Sequence, residues 1–224
     1  MLVILPFEKA FYQEYGVDAT FVGHPLLDAL YQLPPGPKMP EKPLIALLPG
    51  SRKQEIQRIL PVMLSATPFF PEYQFVIAGA SSIPDVFYTP FLNDYPSVRV
   101  DRKGTYPLLQ QAQAALVKSG TSTLETALLN VPQVVCYAGN PISYHIAKRV
   151  IQVKYISLVN LILDEALVTE LIQDQLNTDN VVNELRRILE QDTAQQLKNG
   201  YARLRTLLGE GGASQRAAAA ILSK

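Results

Sequence analysis

The chain has little of what most site chemistries need. It holds a single cysteine, Cys136, so no disulfide can form within it. Its place in the strand-like run Val134-Val135-Cys136-Tyr137 predicts a buried, inert thiol, in keeping with a reducing cytoplasm. Two histidines, His24 and His145, stand far apart and in no spacing that gathers metal ligands, so neither a metal nor a cofactor is expected. Twenty basic and twenty acidic side chains cancel, which removes the general electrostatic case for nucleic acid as a partner. No apolar run approaches the roughly 18 residues of a membrane span. The N-terminus also lacks a basic lead-in with a small-residue cleavage site, so no secretory leader is expected there.

What is present is an ordinary globular balance, 48% hydrophobic and 18% charged over 224 residues, enough to bury a large core. The most informative stretch is Ser119-Gly120-Thr121-Ser122-Thr123-Leu124-Glu125, between the apolar run Ala114–Val117 and the apolar segment Thr126–Leu129. It reads as strand, tight loop and helix start. A glycine and hydroxyls at a helix mouth gather backbone N–H groups at the positive end of the helix dipole, a setting that suits phosphate. Leu44–Leu48, Pro49-Gly50-Ser51-Arg52 and the helical Lys53–Ile56 repeat the design. Two such loops in one sheet point to a diphosphate held between helix mouths. The plainer reading is two capping boxes, Ser122-x-x-Glu125 and Ser51-x-x-Gln54. Arg52 argues against it at the first loop, because a cation in a first turn opposes the dipole unless an anion lies there.

In chain order, residues 2–5 read as a strand, 7–15 as a helix ended by Gly16, 19–22 as a strand and 26–30 as helical. Met1–Leu5 is already a buried-strand pattern, so the sequence reads as the later part of something longer. His24, before Pro25, is either a turn histidine or a ligand contact. Prolines crowd residues 31–43 and predict a semi-rigid linker between an N-terminal piece, 1–30, and a main domain, 44–224. Beyond it, strands at 44–48, 73–78, 97–101, 114–118, 133–137 and, less firmly marked, 154–158 alternate with helices at 52–69, 85–93, 105–112, 121–130 and 142–151. Pro61 is expected to kink the first of these. Helices at 165–173, 179–190, 193–208 and 213–222 follow. The fold class is α/β, a Rossmann-like parallel sheet with helices on both faces and a helical C-terminal tail. Ligands in such sheets gather beyond the carboxyl ends of the strands, where Gly79-Ala80-Ser81-Ser82 would join the two loops above. G-x-G-x-x-G and G-x-x-x-x-G-K-[ST] are both missing, which favours a nucleotide-sugar or other phosphate ligand over NAD or ATP. Ser143–Arg149 reads as a solvated amphipathic face or as a peripheral contact with a membrane surface.

Five runs carry a family resemblance: Leu5-Pro6-Phe7-Glu8, Phe21–Leu26, Leu47–Arg52, Ser119–Glu125 and Tyr155–Leu161. In this order they resemble lipid-A-disaccharide synthase, covering the end of that enzyme's N-terminal domain and its whole C-terminal domain. The resemblance implies an inverting GT-B glycosyltransferase with its UDP-sugar donor on the C-terminal domain. It would join UDP-2,3-diacylglucosamine to 2,3-diacylglucosamine 1-phosphate, releasing UDP, on the cytoplasmic side of the inner membrane of a Gram-negative-type bacterium. By the same resemblance Gly50, Ser51 and Arg52 would meet the diphosphate, Ser119, Gly120, Thr121, Ser122 and Thr123 would supply N–H donors, and Glu125 would accept from ribose hydroxyls. Asn160 would lie near the same site, although its spacing alone favours a turn or cap asparagine. The general base is expected on the N-terminal domain, most of which has no counterpart here. A UDP or UDP-sugar binding module without chemistry of its own is the alternative, and a homodimer or a separate N-terminal half are the open partners. An epimerase or transferase of other UDP-sugars fits Tyr155–Leu161 less well.

Overall fold

The computed structural model describes residues 1–139 and 154–222. In chain order the described elements are β1 (Leu2–Val3), α1 (Glu8–Glu14), β2 (Thr20–Phe21), α2 (Pro25–Tyr31), β3 (Leu44–Leu48), α3 (Lys53–Ser65), β4 (Gln74–Ala78), α4 (Thr89–Leu92) and β5 (Arg99–Asp101). They continue with α5 (Thr105–Leu109), β6 (Ala112–Lys118), α6 (Thr121–Leu128), β7 (Gln133–Tyr137), α7 (Leu158–Leu163), β8 (Glu170–Ile172), α8 (Thr178–Leu189), α9 (Gln191–Leu208) and α10 (Ala213–Leu222).

The main sheet is parallel throughout, in the order β5-β4-β3-β6-β7-β8, so the chain reverses its direction of winding between β3 and β6. The carboxyl ends of β3 and β6 therefore form the switch point at which such sheets open a crevice. The central strands are buried on both sides, and their alternate residues divide between two cores. Ile45, Leu47, Leu116 and Ile77 face a large cluster covered by α3, α8 and α9. Leu44, Ala46, Leu48 and Val117 face a smaller one closed by Leu108 and Leu109 of α5 and by Val131. The continuous apolar runs of the sequence follow from this two-sided burial.

Four expectations change. The segment at 154–158 is not a strand: Ser157 caps α7, accepting the N–H of Asn160. The sixth strand is instead β8, inside the 165–173 stretch expected to be helical, where Glu170, Leu171 and Ile172 extend the sheet beside Val135, Cys136 and Tyr137. Sheet pairing overrides the local apolar period there. The helix expected at 85–93 divides into a 3-10 turn, Asp85–Phe87, and α4, while that at 105–112 stops at Leu109 because Ala112 already belongs to β6. Through Pro61, α3 continues as a single helix. The helix expected at 142–151 and the amphipathic Ser143–Arg149 lie outside the described residues.

Residues 1–31 build a small β-α-β unit of their own, with Leu2 beside Thr20 and Val3 beside Phe21 in parallel, followed by α2. Residues 33–43 carry neither helix nor strand. The unit is latched to the far end of the chain: the Asp28 carboxylate accepts the N–H groups of Gly212 and Ser214 at the start of α10, and Arg216 donates from Nε to the Val22 carbonyl at 2.8 Å. Gly23, at φ +89°, lies so close to Arg216 that a Cβ there would meet Nη2 at 2.4 Å. No helix among the described residues is long and apolar enough to cross a membrane.

Candidate functional site

The loops after β3, β4, β5 and β6 open on one cleft of about 890 Å³. Gly50, Ser51, Arg52 and Glu55 line one side, Lys118, Ser119, Gly120, Thr121 and Ser122 another, and Gly79–Asp85 with Arg102, Gly104 and Thr105 a third. Parallel strands deliver all four loops to the same edge, so the two glycine motifs, far apart in sequence, meet across the switch point. Gly50 has φ +108°, which side chains rarely adopt, and a Cβ there would strike Glu55 Oε2 at 2.6 Å. Neither expected capping box forms. The N-cap of α3 is Arg52 and that of α6 is Gly120, each without a side-chain cap hydrogen bond. The first helix begins one residue later than a Ser51 cap requires and the second two residues earlier than a Ser122 cap requires, so neither serine takes the cap position.

The hydroxyls differ in their availability. Ser119 is buried and donates to the Ile156 carbonyl at 2.8 Å, and Thr123 is buried and donates to the Gly120 carbonyl at 2.8 Å. Thr121 is exposed and Ser122 half-buried at the cleft wall. Thr123, Glu125 and Asn160 are not among the residues lining the cleft. Glu125 accepts from the Tyr106 phenol at 2.9 Å. Burial above all, and then the charge and hydrogen bond of Glu125, push that phenol up to about 12, so it stays a neutral donor. Asn160, 1% exposed, donates from Nδ2 to the Val168 carbonyl and to Glu170 Oε1, both at 2.9 Å, and accepts from the Val168 N–H at 3.0 Å. Glu170 also takes the N–H groups of Ile156 and Ser157, so Asn160 braces the turn whose carbonyl holds Ser119.

Beside Arg52, four charged groups to which the sequence reading gave no role in the site line the cleft: Glu55, Lys118, Arg102 and Asp85. Arg52, 82% exposed, lies 3.6 Å from Glu55, which pairs at 3.0 Å with Lys118. Arg102 donates to Asp85 Oδ1 from Nε at 2.8 Å and to the Ala80 carbonyl at 2.6 Å, and its guanidinium lies 5.3 Å from the centre of the Tyr88 ring. Glu55 is one helical turn beyond the glycine loop, and Lys118 is the residue just before Ser119. A scan for charge at the strand ends, as well as for glycine and hydroxyl, would have found both. Cys136 is fully buried, and burial pushes its thiol up to about 12, so it is unreactive. Among the described residues no group of three or more His, Cys, Asp or Glu is placed to hold a metal.

A family described as lipid-A-disaccharide synthetase matches residues 1–223. The chain belongs to the lipid-A-disaccharide synthetase family. It is 36% identical over 240 residues to a lipid-A-disaccharide synthase of Geobacter metallireducens, covering 99% of this chain and 61% of that protein. A lipid-A-disaccharide synthase of Syntrophus aciditrophicus is 39% identical over 237 residues, covering all of this chain and 62% of the relative. The chain thus spans about three-fifths of the length of these relatives (61% and 62%). Among solved structures, a UDP-N-acetylglucosamine 2-epimerase superposes with TM-score 0.63 at 14% identity, over 99% of this chain and 56% of the other. A calicheamicin glycosyltransferase superposes with TM-score 0.59 at 21% identity, over 99% and 52%. At such identities the likeness is one of fold, that of GT-B glycosyltransferases and UDP-sugar epimerases.

Proposed function

We propose that this chain is the donor-binding part of a lipid-A-disaccharide synthase and holds UDP-2,3-diacylglucosamine in the cleft beyond β3 and β6. The observation that carries the reading is the convergence of the Gly50–Arg52 and Ser119–Ser122 loops on one cleft, each leading into a helix whose first turn has no side-chain cap. Backbone N–H groups and two dipole ends then favour the diphosphate, and Arg52 adds an exposed cation. Thr123 holds the Gly120 loop and Asn160 the Ser157 turn from behind. Glu125 reaches ribose by exchanging its bond to Tyr106 for ribose hydroxyls.

The reaction is transfer of the sugar to 2,3-diacylglucosamine 1-phosphate, with UDP leaving, and it needs a base for the attacking hydroxyl. Among the described residues the carboxylates that line the cleft, Glu55 and Asp85, are each held by a cation. The base therefore comes from the part of the relatives that this chain does not span, supplied by a longer chain or a separate half, with a cytoplasmic, membrane-peripheral setting suited to acylated substrates. The same pairing of Glu55 and Asp85 favours a second reading, UDP-sugar binding by this chain without chemistry of its own. Calorimetric titration with UDP tests the shared part: saturable one-to-one binding is expected, and no heat at millimolar UDP would refute it.

A further inference from the structure

Glu55 reaches back from the first turn of α3 across the glycine loop that precedes it. Its Oε1 lies 3.0 Å from Lys118 Nζ, at the end of β6, and 3.6 Å from Arg52 Nη1. The pair spans both loops: a Cβ on Gly50 would come 2.6 Å from Glu55 Oε2, and one on Gly120 would lie 3.9 Å from Lys118 Nζ. Carboxylate thus rests against one glycine loop and ammonium against the other, and both line the cleft. Their side chains are only 18% and 22% exposed, so solvent screens the pair less than it would two surface ions.

An acid in a first helical turn complements the helix dipole, which accounts for a glutamate on α3. It does not account for that glutamate being aimed at a lysine from another strand, in the space between two loops built for an anion. A phosphate entering there meets Lys118 and Arg52 already neutralised and a like charge already in place. We propose that Glu55 is a built-in place-holder for the diphosphate: in the ligand-free chain it occupies Lys118 and Arg52, and ligand binding exchanges carboxylate for phosphate on Lys118. Lys118 then becomes the cation that faces the departing diphosphate. The identity of the ligand rests on the UDP-sugar reading above; the exchange itself needs only an anion of diphosphate shape.

The test is a calorimetric titration of the full chain with UDP and, separately, with inorganic pyrophosphate, alongside melting temperatures. Removing the competing charge in Glu55→Gln is expected to tighten both anions by about three- to tenfold, and removing the receiving cation in Lys118→Met to weaken both by about tenfold. In the double variant the gain from Glu55→Gln shrinks, because most of what Glu55 occupied is gone. Glu55→Ala is the second variant should Glu55→Gln fold poorly, with the same tightening expected. Unchanged or weaker pyrophosphate binding in whichever variant folds overturns the proposal. Pyrophosphate tightened as expected, with UDP binding no better than pyrophosphate, supports the exchange and sinks the uridine part of the functional reading. Binding of neither anion by any variant sinks both.

Discussion

Arg52 sits in a position that is hard to explain by stability. At the N-cap of α3 its charge opposes the helix dipole by roughly 0.3–1 kcal/mol. Its partner Glu55 is 3.6 Å away and already paired more closely with Lys118. Arg52→Ala should therefore leave the melting temperature unchanged or slightly higher while weakening UDP about tenfold, the loss of one charge-assisted hydrogen bond. Equal UDP affinity in calorimetry removes Arg52 from the site. Glu125→Gln probes a different contact. The amide oxygen can still accept from Tyr106, so the fold should hold; a drop in UDP affinity at constant melting temperature supports the ribose role, and normal UDP binding rejects it. His24 is legible only in part from its sequence. Pro25 predicts a turn there, and the structure makes the imidazole the N-cap of α2, its Nδ1 accepting the Leu26 N–H at 3.2 Å. Burial holds its pKa below the ordinary value, partly offset by the charge of Glu8. The unfolded chain then binds the proton first, so this contribution is whole above pH 6.5 and is lost as pH falls through the depressed folded value. Melting temperature should fall with pH across that window in the wild type and less in His24→Asn, which keeps a cap acceptor without the titration; parallel curves would reject the assignment.

At the scale of elements, the sheet was readable because two-sided burial leaves continuous apolar runs, as in Leu44–Leu48 and Val134–Tyr137. The edge was not. Glu170–Ile172 is a three-residue strand with a carboxylate at its start, and nothing local marks it as a strand. What places it is distant: Glu170 accepts from Ile156, Ser157 and Asn160, so the edge strand and the cap of α7 are one hydrogen-bonded unit. Asn160→Ala should break it. The change orphans the Val168 N–H and removes a partner from a carboxylate, costing about 1–3 kcal/mol and several degrees of melting temperature. A variant that melts like the wild type would show the bracket to be dispensable. The latch between α2 and α10 was equally invisible, since Asp28 and Gly212 are joined by no local pattern. The N–H groups of Ser214 and Gly212 hold the Asp28 carboxyl below the usual carboxylate range, so its contribution is present above that range and is lost as pH falls through the lowered value. Faster amide exchange along α10 in Asp28→Ala, with the main sheet unaffected, is the expected signature.

For the whole molecule, the proposed donor cleft has no opposing wall among the described residues. The N-terminal unit, residues 1–31, leaves Leu2, Ile4, Phe7, Phe11 and Tyr15 with sizeable exposed apolar surface, and Phe11 packs its ring 5.2 Å from that of Tyr15. A two-stranded sheet with such a face is too small to orient an acylated acceptor. Proximity and orientation supply roughly 7–11 kcal/mol of a bimolecular barrier, and most of it is forfeited when one reactant is unheld. Among the described residues the cleft offers no free carboxylate as base, since a proton acceptor must lie within about 2.6–3.2 Å of the attacking hydroxyl and Glu55 and Asp85 are engaged with Lys118 and Arg102. Freeing Glu55 by the exchange with phosphate does not help, because it then stands beside the diphosphate on the donor side of the bond. The 224-residue chain should therefore bind UDP yet form no disaccharide from UDP-2,3-diacylglucosamine and 2,3-diacylglucosamine 1-phosphate. Activity should appear when the N-terminal part of a full-length relative is added in trans, and it should depend on Arg52 and Lys118 of this chain. Product formed by the chain alone, followed by mass spectrometry of the disaccharide, would show that the wall and the base are already here.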